Sequence, residues 1–187
     1  WLSSDENQIC RREAVDRWTW RRKMRLWRNP INVVATTNWL ANEARKSALM
    51  AHWPVSVIPN ALDTDVFAPR DQRECQMQLG LDPSLRWVVF SSLQIALKGW
   101  PTIRDAMGIL ADQGHPVALA VVGIPPQSDV RPALQVQWLG RVHDDEHMSR
   151  IYAAADVVAV PSTFEAFGQV ASEAQASGTP VVASDIG

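Results

Sequence analysis

The apolar positions of this chain alternate between two kinds of spacing. Trp87-Val88-Val89-Phe90, Val117 to Val122, Asp156-Val157-Val158-Ala159-Val160 and Pro180-Val181-Val182-Ala183 are short runs, rich in β-branched and small residues, with no polar alternation. Such runs predict buried strands of a parallel sheet covered on both faces. Val136 to Leu139 predicts another strand, as do Ile31 to Ala35 and Val55 to Ile58, the last ended by Pro59-Asn60. Between the strands the spacing becomes helical. Thr36-Thr37-Asn38 offers caps to a helix from Trp39 to about Met50, with Leu40, Ala44 and Ala48 four apart. Ile103, Ala106, Met107, Leu110 and Ala111 mark a second helix, with Pro101 suited to its first turn. Met148, Ile151, Tyr152 and Ala155 follow Asp144 as an N-cap, and Val170, Ala171, Ala174 and Ala176 precede Gly178 as a stop.

Alternating strands and helices define an α/β chain with a parallel sheet and helices on both faces. In such sheets ligands bind outside the carboxyl ends of strands. That rule points to Ser162–Gly168, while the loop Ser91–Leu97 after another strand leads to Lys98-Gly99 at a helix N-terminus.

Composition adds limits. The 187 residues are 47% hydrophobic and 20% charged, ordinary values for a globular chain with a core to bury. A net charge of -2 gives no argument for nucleic acid. Cys10 and Cys75 show no metal or redox spacing, so a reducing cytosol is the simpler setting. No apolar run approaches the roughly 18 residues of a spanning helix. The chain starts at Trp1 and stops at Gly187 just after a strand, and reads as a fragment.

Charge is unevenly placed. Residues 1–30 carry eight Lys/Arg against four acids, with Trp18, Trp20 and Trp27 interleaved. Trp20, Met24 and Trp27 share one helical face. The favoured reading is a surface helix whose tryptophans pack on neighbouring protein. The second is a basic amphipathic helix, residues 11–28, touching an anionic membrane surface.

The candidate chemistry centres on Glu165-Ala-Phe-Gly-Gln-Val-Ala-Ser-Glu173. Eight positions span about 12 Å if all are helical, and more if the first part is loop. That is roughly the distance from a nucleotide's ribose across a diphosphate to an attached sugar. The amides around Phe167, Gly168 and Gln169 open a helix, whose N-terminus favours phosphate. Carboxylates beside phosphates serve as acceptors for hydroxyls. The plainer alternative is a crossover helix with Glu173 solvated and Glu165 as its cap.

Embedded in Pro161-Ser-x-x-Glu-x-Phe-Gly and Glu173-Ala-x-Ala-x-Gly-x-Pro-Val-Val, this spacing resembles the E-x7-E motif of retaining nucleotide-sugar glycosyltransferases of the GT-B fold. The nearest resemblance is to the family usually called glycosyltransferase family 4 (group 1), over residues 31–187. It implies a GT-B type, Rossmann-like parallel sheet. Residues 1–60 would be the end of the acceptor-side domain and 61–187 the nucleotide-sugar donor-binding domain, truncated at its C-terminus. The implied reaction moves a sugar from a nucleotide-diphosphate sugar to an acceptor hydroxyl, of a saccharide or lipid-linked saccharide, with retention and without a metal or other cofactor. The implied roles are Glu165 on the donor sugar's hydroxyls, Glu173 on the ribose, and Lys98 with the Phe167–Gly168 amides on the diphosphate. Ser92 and the backbone near Arg141-Val142 would line the rest of the donor pocket. The setting expected is cytoplasmic, with the inner face of a membrane as the alternative that the basic segment offers; polysaccharide synthesis is a common family assignment.

Two positions depart from the family. Ala61 stands in Pro-Asn-Ala-Leu-Asp where glycine is common, and Ser91-Ser92 stands where many members carry an arginine. A nucleotide-sugar-binding module without turnover, a GT-B sugar-nucleotide epimerase and a membrane-docking fragment therefore stay open. Two further patterns carry less. Asp63-Thr64-Asp65 matches the metal-binding triad of the GT-A fold, but it follows Pro-Asn and reads as a solvated turn before an extended Val66–Pro69 linker. His143-Asp-Asp-Glu-His147 fits a zinc-peptidase pattern that needs both histidines on one helix, whereas Asp144 as N-cap leaves His143 outside it.

Overall fold

The computed structural model describes residues 4–93 and 97–186, with side chains described from Val15 onward. The side chains of Cys10, Arg11 and Arg12, and residues 94–96 of the loop after Phe90, lie outside the described residues. The chain divides into two compact units, Trp1–Pro59 and Asn60–Gly187.

The first unit holds α1 (Ser4–Leu26), β1 (Val33–Ala35), α2 (Asn38–Lys46) and β2 (Val55–Val57). The strands pair in parallel, Val33 opposite Val55. Thr37 caps α2, its Oγ1 accepting from the Leu40 N–H at 3.1 Å. The helix ends at Lys46 and not near Met50, because Ser47 turns extended and supplies local partners. Its Oγ accepts from the Leu49 N–H and its carbonyl from the Ala51 N–H, at 3.2 and 2.9 Å. On α1, Arg22 lies over the Trp18 ring, and Lys23 over that of Trp27 just past the helix end. Trp27 meets protein on one side, with its ring 5.7 Å from that of buried Trp53, and is otherwise exposed, as are Trp18, Trp20 and Met24.

The second unit runs α3 (Gln72–Gln78), β3 (Arg86–Ser91), α4 (Trp100–Asp112), β4 (Val117–Val122), β5 (Gln135–Gly140), α5 (Asp145–Ala154), β6 (Val157–Val160), α6 (Gln169–Ala176) and β7 (Val181–Ala183). Its five strands lie in the order β5-β4-β3-β6-β7 and pair in parallel. Alternate residues supply two cores. Trp87, Val89, Ala118, Ala120, Val122, Val158 and Val160 pack with Cys75, Ile151, Tyr152 and Ala174, from α3, α5 and α6. Phe90, Leu119, Val121 and Ala159 pack with Trp100, Ile103 and Met107 of α4. Helices thus cover both faces, and this is why the central strands read as uninterrupted apolar runs.

Three expectations need correcting. The short helix α3 was not expected. It is polar in composition, and what nucleates it is Asp71, whose carboxylate accepts from the Glu74 N–H at 2.8 Å. Residues 66–69 are no extended linker: Asp63 Oδ1 accepts from the N–H groups of Asp65 and Val66, a turn that drops Phe67 into the core 6.3 Å from the Tyr152 ring. The run 180–183 is not a doubly buried strand. As β7 it pairs with β6 at the end of the sheet order, and Val182 is 65% exposed.

Candidate active site

The strand order creates the site. From β3 the chain builds β4 and β5 to one side, then returns to place β6 on the other. The loops after β3 and β6 therefore diverge from adjacent strand ends, leaving a crevice at the switch point. Those two loops are tied together. The Leu97 carbonyl accepts from the Thr163 N–H and hydroxyl, at 3.0 and 3.2 Å. Gly99 has φ 78°, and a Cβ on it would sit 1.9 Å from the Pro161 carbonyl oxygen. Only glycine permits that approach together with a left-handed backbone.

Lys98 is held between these ties, and its Nζ lies 2.6 Å from Glu165 Oε2. Ser162 Oγ, buried at the end of β6, hydrogen-bonds the same oxygen at 3.3 Å. Partial burial pushes the Glu165 carboxyl up, but Lys98, Ser162 and the Ala166 N–H together outweigh it and hold the group below its usual range. Glu165 is not the cap of α6. That position belongs to Gly168, which has φ 80° and makes no side-chain cap bond. A Cβ there would meet nothing closer than 3.8 Å, so its glycine is needed for conformation and not for room. Gly168 therefore brings no side-chain acceptor to the amides that open α6.

Glu173 is half-buried one turn further along α6, not solvated. Tyr152, on α5, donates its hydroxyl to Glu173 Oε2 at 2.9 Å, and Gln169 adds a side-chain hydrogen bond. Gln169 Oε1 in turn accepts from Asn60 Nδ2 at 3.2 Å. Burial pushes the Glu173 carboxyl up, and those two bonds only partly offset it.

A cavity of about 410 Å³ opens beside these groups, within the size range of small-molecule sites. Of the residues singled out in the sequence, it brings together Ser92, Lys98, Arg141, Val142 and Glu173. Glu165 is joined to it through Lys98, while Phe167 and Gly168, just before α6, are not among its lining residues. The cavity also contains residues that pattern reading missed: Gly123 at the end of β4, Asp145 and Met148 on α5, and Tyr152. Tyr152 carried a signal. It is the chain's one tyrosine, on an apolar helix face, and a buried phenol needs a partner. Asp144 caps α5 by accepting from the His147 N–H, so His143 stands outside the helix and the zinc-peptidase geometry is not formed. Among the described residues no group of three or more His, Cys, Asp and Glu could hold a metal ion.

A parallel sheet with this order, helices on both faces and a crevice at the β3/β6 switch point is the fold of GT-B glycosyltransferases. It aligns with a sucrose-phosphate synthase from Thermosynechococcus elongatus at a TM-score of 0.70 and 29% identity, over 88% of this chain and 43% of that one. HepE of Anabaena, solved in complex with UDP and glucose, aligns at 0.67 and 26% identity, over 83% of this chain and 44% of that one. The model of the family "Glycosyl transferases group 1" matches residues 85–187, and the chain belongs to that family. Among curated relatives, the D-inositol 3-phosphate glycosyltransferase of Segniliparus rotundus is 39% identical over 145 residues, covering 71% of this chain and 32% of the relative. The chain thus spans about a third of the length of the curated relatives it matches.

Proposed function

We propose that this chain carries the donor-binding half, residues 61–187, and part of the acceptor-side half, residues 1–60, of a retaining family 4 glycosyltransferase. In this reading it transfers a sugar from a nucleotide-diphosphate sugar to a hydroxyl of a saccharide or lipid-linked saccharide acceptor. The observation that carries the reading is the Lys98–Glu165 pair, set across two strand ends at the switch point and eight residues before a second, half-buried carboxylate. HepE, solved with UDP and glucose, adds support for a nucleotide-sugar donor.

The roles follow from charge. The diphosphate takes the amides at the start of α6, around Phe167–Gly168, and the Lys98 ammonium. Lys98 then offsets the negative charge that grows on the leaving diphosphate, the electrostatic term that its departure needs. Glu165, kept ionised by its partners, accepts from the sugar's hydroxyls near the reacting carbon. Glu173 accepts from the ribose, and Ser92 with the backbone at Arg141-Val142 borders the base. No metal ion or other cofactor enters this scheme, since Lys98 and the helix amides supply the positive charge. The setting in this reading is the cytoplasm; the basic segment 11–28 is first a surface helix packed on protein and second a contact with an anionic membrane face. No helix of the described residues is long and apolar enough to cross a membrane.

A thermal-shift screen with UDP-, GDP-, ADP- and dTDP-sugars tests the donor site, with Glu173→Ala as control. Ligand at about 100 times Kd adds roughly 2.7 kcal/mol, or about 5–10 °C for a chain of this size. A shift with one nucleotide class, lost in the variant, is expected; none with any donor would overturn the reading. NMR of the product's anomeric proton tests retention, and transfer undiminished by EDTA tests metal independence.

A further inference from the structure

We propose that Tyr152 is a positioning residue for ribose recognition: its hydroxyl fixes one oxygen of Glu173 so that the carboxylate presents the other to the ribose of a nucleoside diphosphate. The inference rests on the donor-site reading of Glu173. It adds a residue that the motif does not contain, on a different helix.

Tyr152 is only 1% exposed, and it is anchored at three points. Its ring packs near Phe67, its carbonyl accepts from Thr179 Oγ1 at 2.7 Å, and its hydroxyl donates to Glu173 Oε2 at 2.9 Å. The phenol is thus the donor and the Glu173 carboxylate the acceptor, with Ser91 a further side-chain neighbour of the phenol. Burial, and then the Glu173 charge, push the phenol's own ionisation far up, so it stays a donor throughout the working pH range.

Glu173 without that donor is a half-buried carboxylate with four acceptor directions and one remaining side-chain partner, Gln169. Other charged or titratable groups at the same cavity are Asp145 from α5, Lys98, and Arg141 with His143 after β5. Of these Asp145 opposes the Glu173 charge. The Tyr152 bond therefore does two things. It favours the anion, which accepts from vicinal hydroxyls, and it holds the carboxylate in one rotamer.

The test is calorimetric titration of the 187-residue chain with UDP, GDP and ADP and with their 2′,3′-dideoxy counterparts. Wild type is compared with Tyr152→Phe and Glu173→Ala. Wild type is expected to prefer one ribonucleotide over its dideoxy form by about tenfold or more. In Tyr152→Phe, affinity for the ribonucleotide falls about tenfold while that for the dideoxy form is unchanged, so the preference collapses. Phenylalanine keeps the ring in the core, and an unchanged melting temperature excludes a packing effect. Equal loss with both nucleotides, or no loss with either, overturns the positioning role. If the ribose preference is present in wild type and absent in Glu173→Ala, the donor-site reading survives that failure. If wild type binds none of the nucleotides, both fall.

Discussion

Lys98 Nζ and Glu165 Oε2 meet at 2.6 Å although 67 residues separate them, because each leaves the carboxyl end of one of two adjacent strands. The pair occupies both partners before any ligand arrives. A diphosphate near Lys98 competes with the Glu165 carboxylate for the same ammonium, and in doing so frees that carboxylate for sugar hydroxyls. Lys98→Ala is therefore expected to lower kcat by roughly 10²–10³, the scale of losing one group that stabilises developing charge. Steady-state kinetics checks it; a loss confined to KM would assign Lys98 to ground-state binding alone.

The same pair predicts a pH signature. Glu165 has a lowered pKa when folded, so its ionisation stabilises the folded chain above the unfolded value, near 4.5. That contribution fades as pH falls through the folded value, which lies lower still. Lys98→Ala should thus cost stability at pH 7, by no more than about 1 kcal/mol for a partly exposed pair, and the cost should shrink below about pH 4. Urea unfolding of both proteins at the two pH values reads it.

Glu173 has the opposite sign. Its raised pKa means that the protonated form is the better-tolerated one, fully so below the unfolded value of about 4.5. The cost of keeping the carboxylate ionised grows as pH rises from the unfolded value through the raised folded one. Glu173→Gln removes that charge with little change of shape, so its melting temperature should rise by about 2–4 °C at pH 7, the equivalent of roughly 1 kcal/mol. The gain should vanish near pH 4, and donor affinity should fall at neutral pH. A variant less stable than wild type at pH 7 would show that the carboxylate is needed for the fold.

Gly99 allows a sharper comparison. Alanine there combines a left-handed backbone with a Cβ driven into the Pro161 carbonyl, whereas Gly80, with φ 67°, has open space around it. Gly80→Ala should cost about 1 kcal/mol from conformation alone. Gly99→Ala should cost more, about 2–3 kcal/mol, and should also lower transfer by separating the loop of Lys98 from that of Glu165. Equal costs at the two positions would show that the loops can part without consequence.

How far the sequence carried depended on whether a feature was local. The strands at 88–90, 117–122 and 157–160 were legible because a doubly covered parallel sheet leaves no polar face to blur them. Gly168 and the E-x7-E spacing were legible for the same reason, being contained in one segment. Helix α3 left only its Asp71–Glu74 cap as a trace, since QRECQMQ has no apolar stripe. The exposure of Val182 and the Lys98–Glu165 and Tyr152–Glu173 contacts depend on which strand and helix ends become neighbours. The strand order decides that, and no single segment encodes it.

The basic segment permits a last prediction. Between Val15 and Arg28 the chain presents Arg17, Arg21, Arg22, Lys23, Arg25 and Arg28 against Asp16, with Trp18, Trp20 and Met24 exposed beside them. Each basic residue near an anionic bilayer is worth about 1 kcal/mol at low ionic strength, and indole rings favour the interface. The chain should therefore co-sediment with vesicles containing about a third anionic lipid and not with neutral ones. Binding should weaken as salt shortens the roughly 10 Å screening length of 0.1 M solution. Replacing Arg21, Arg22 and Arg25 by glutamate should abolish it while leaving nucleotide affinity unchanged, since the donor cavity is lined from the second unit. Salt-insensitive binding, or equal binding to neutral vesicles, would point instead to an apolar surface made for neighbouring protein, of the kind Trp53 already provides for Trp27.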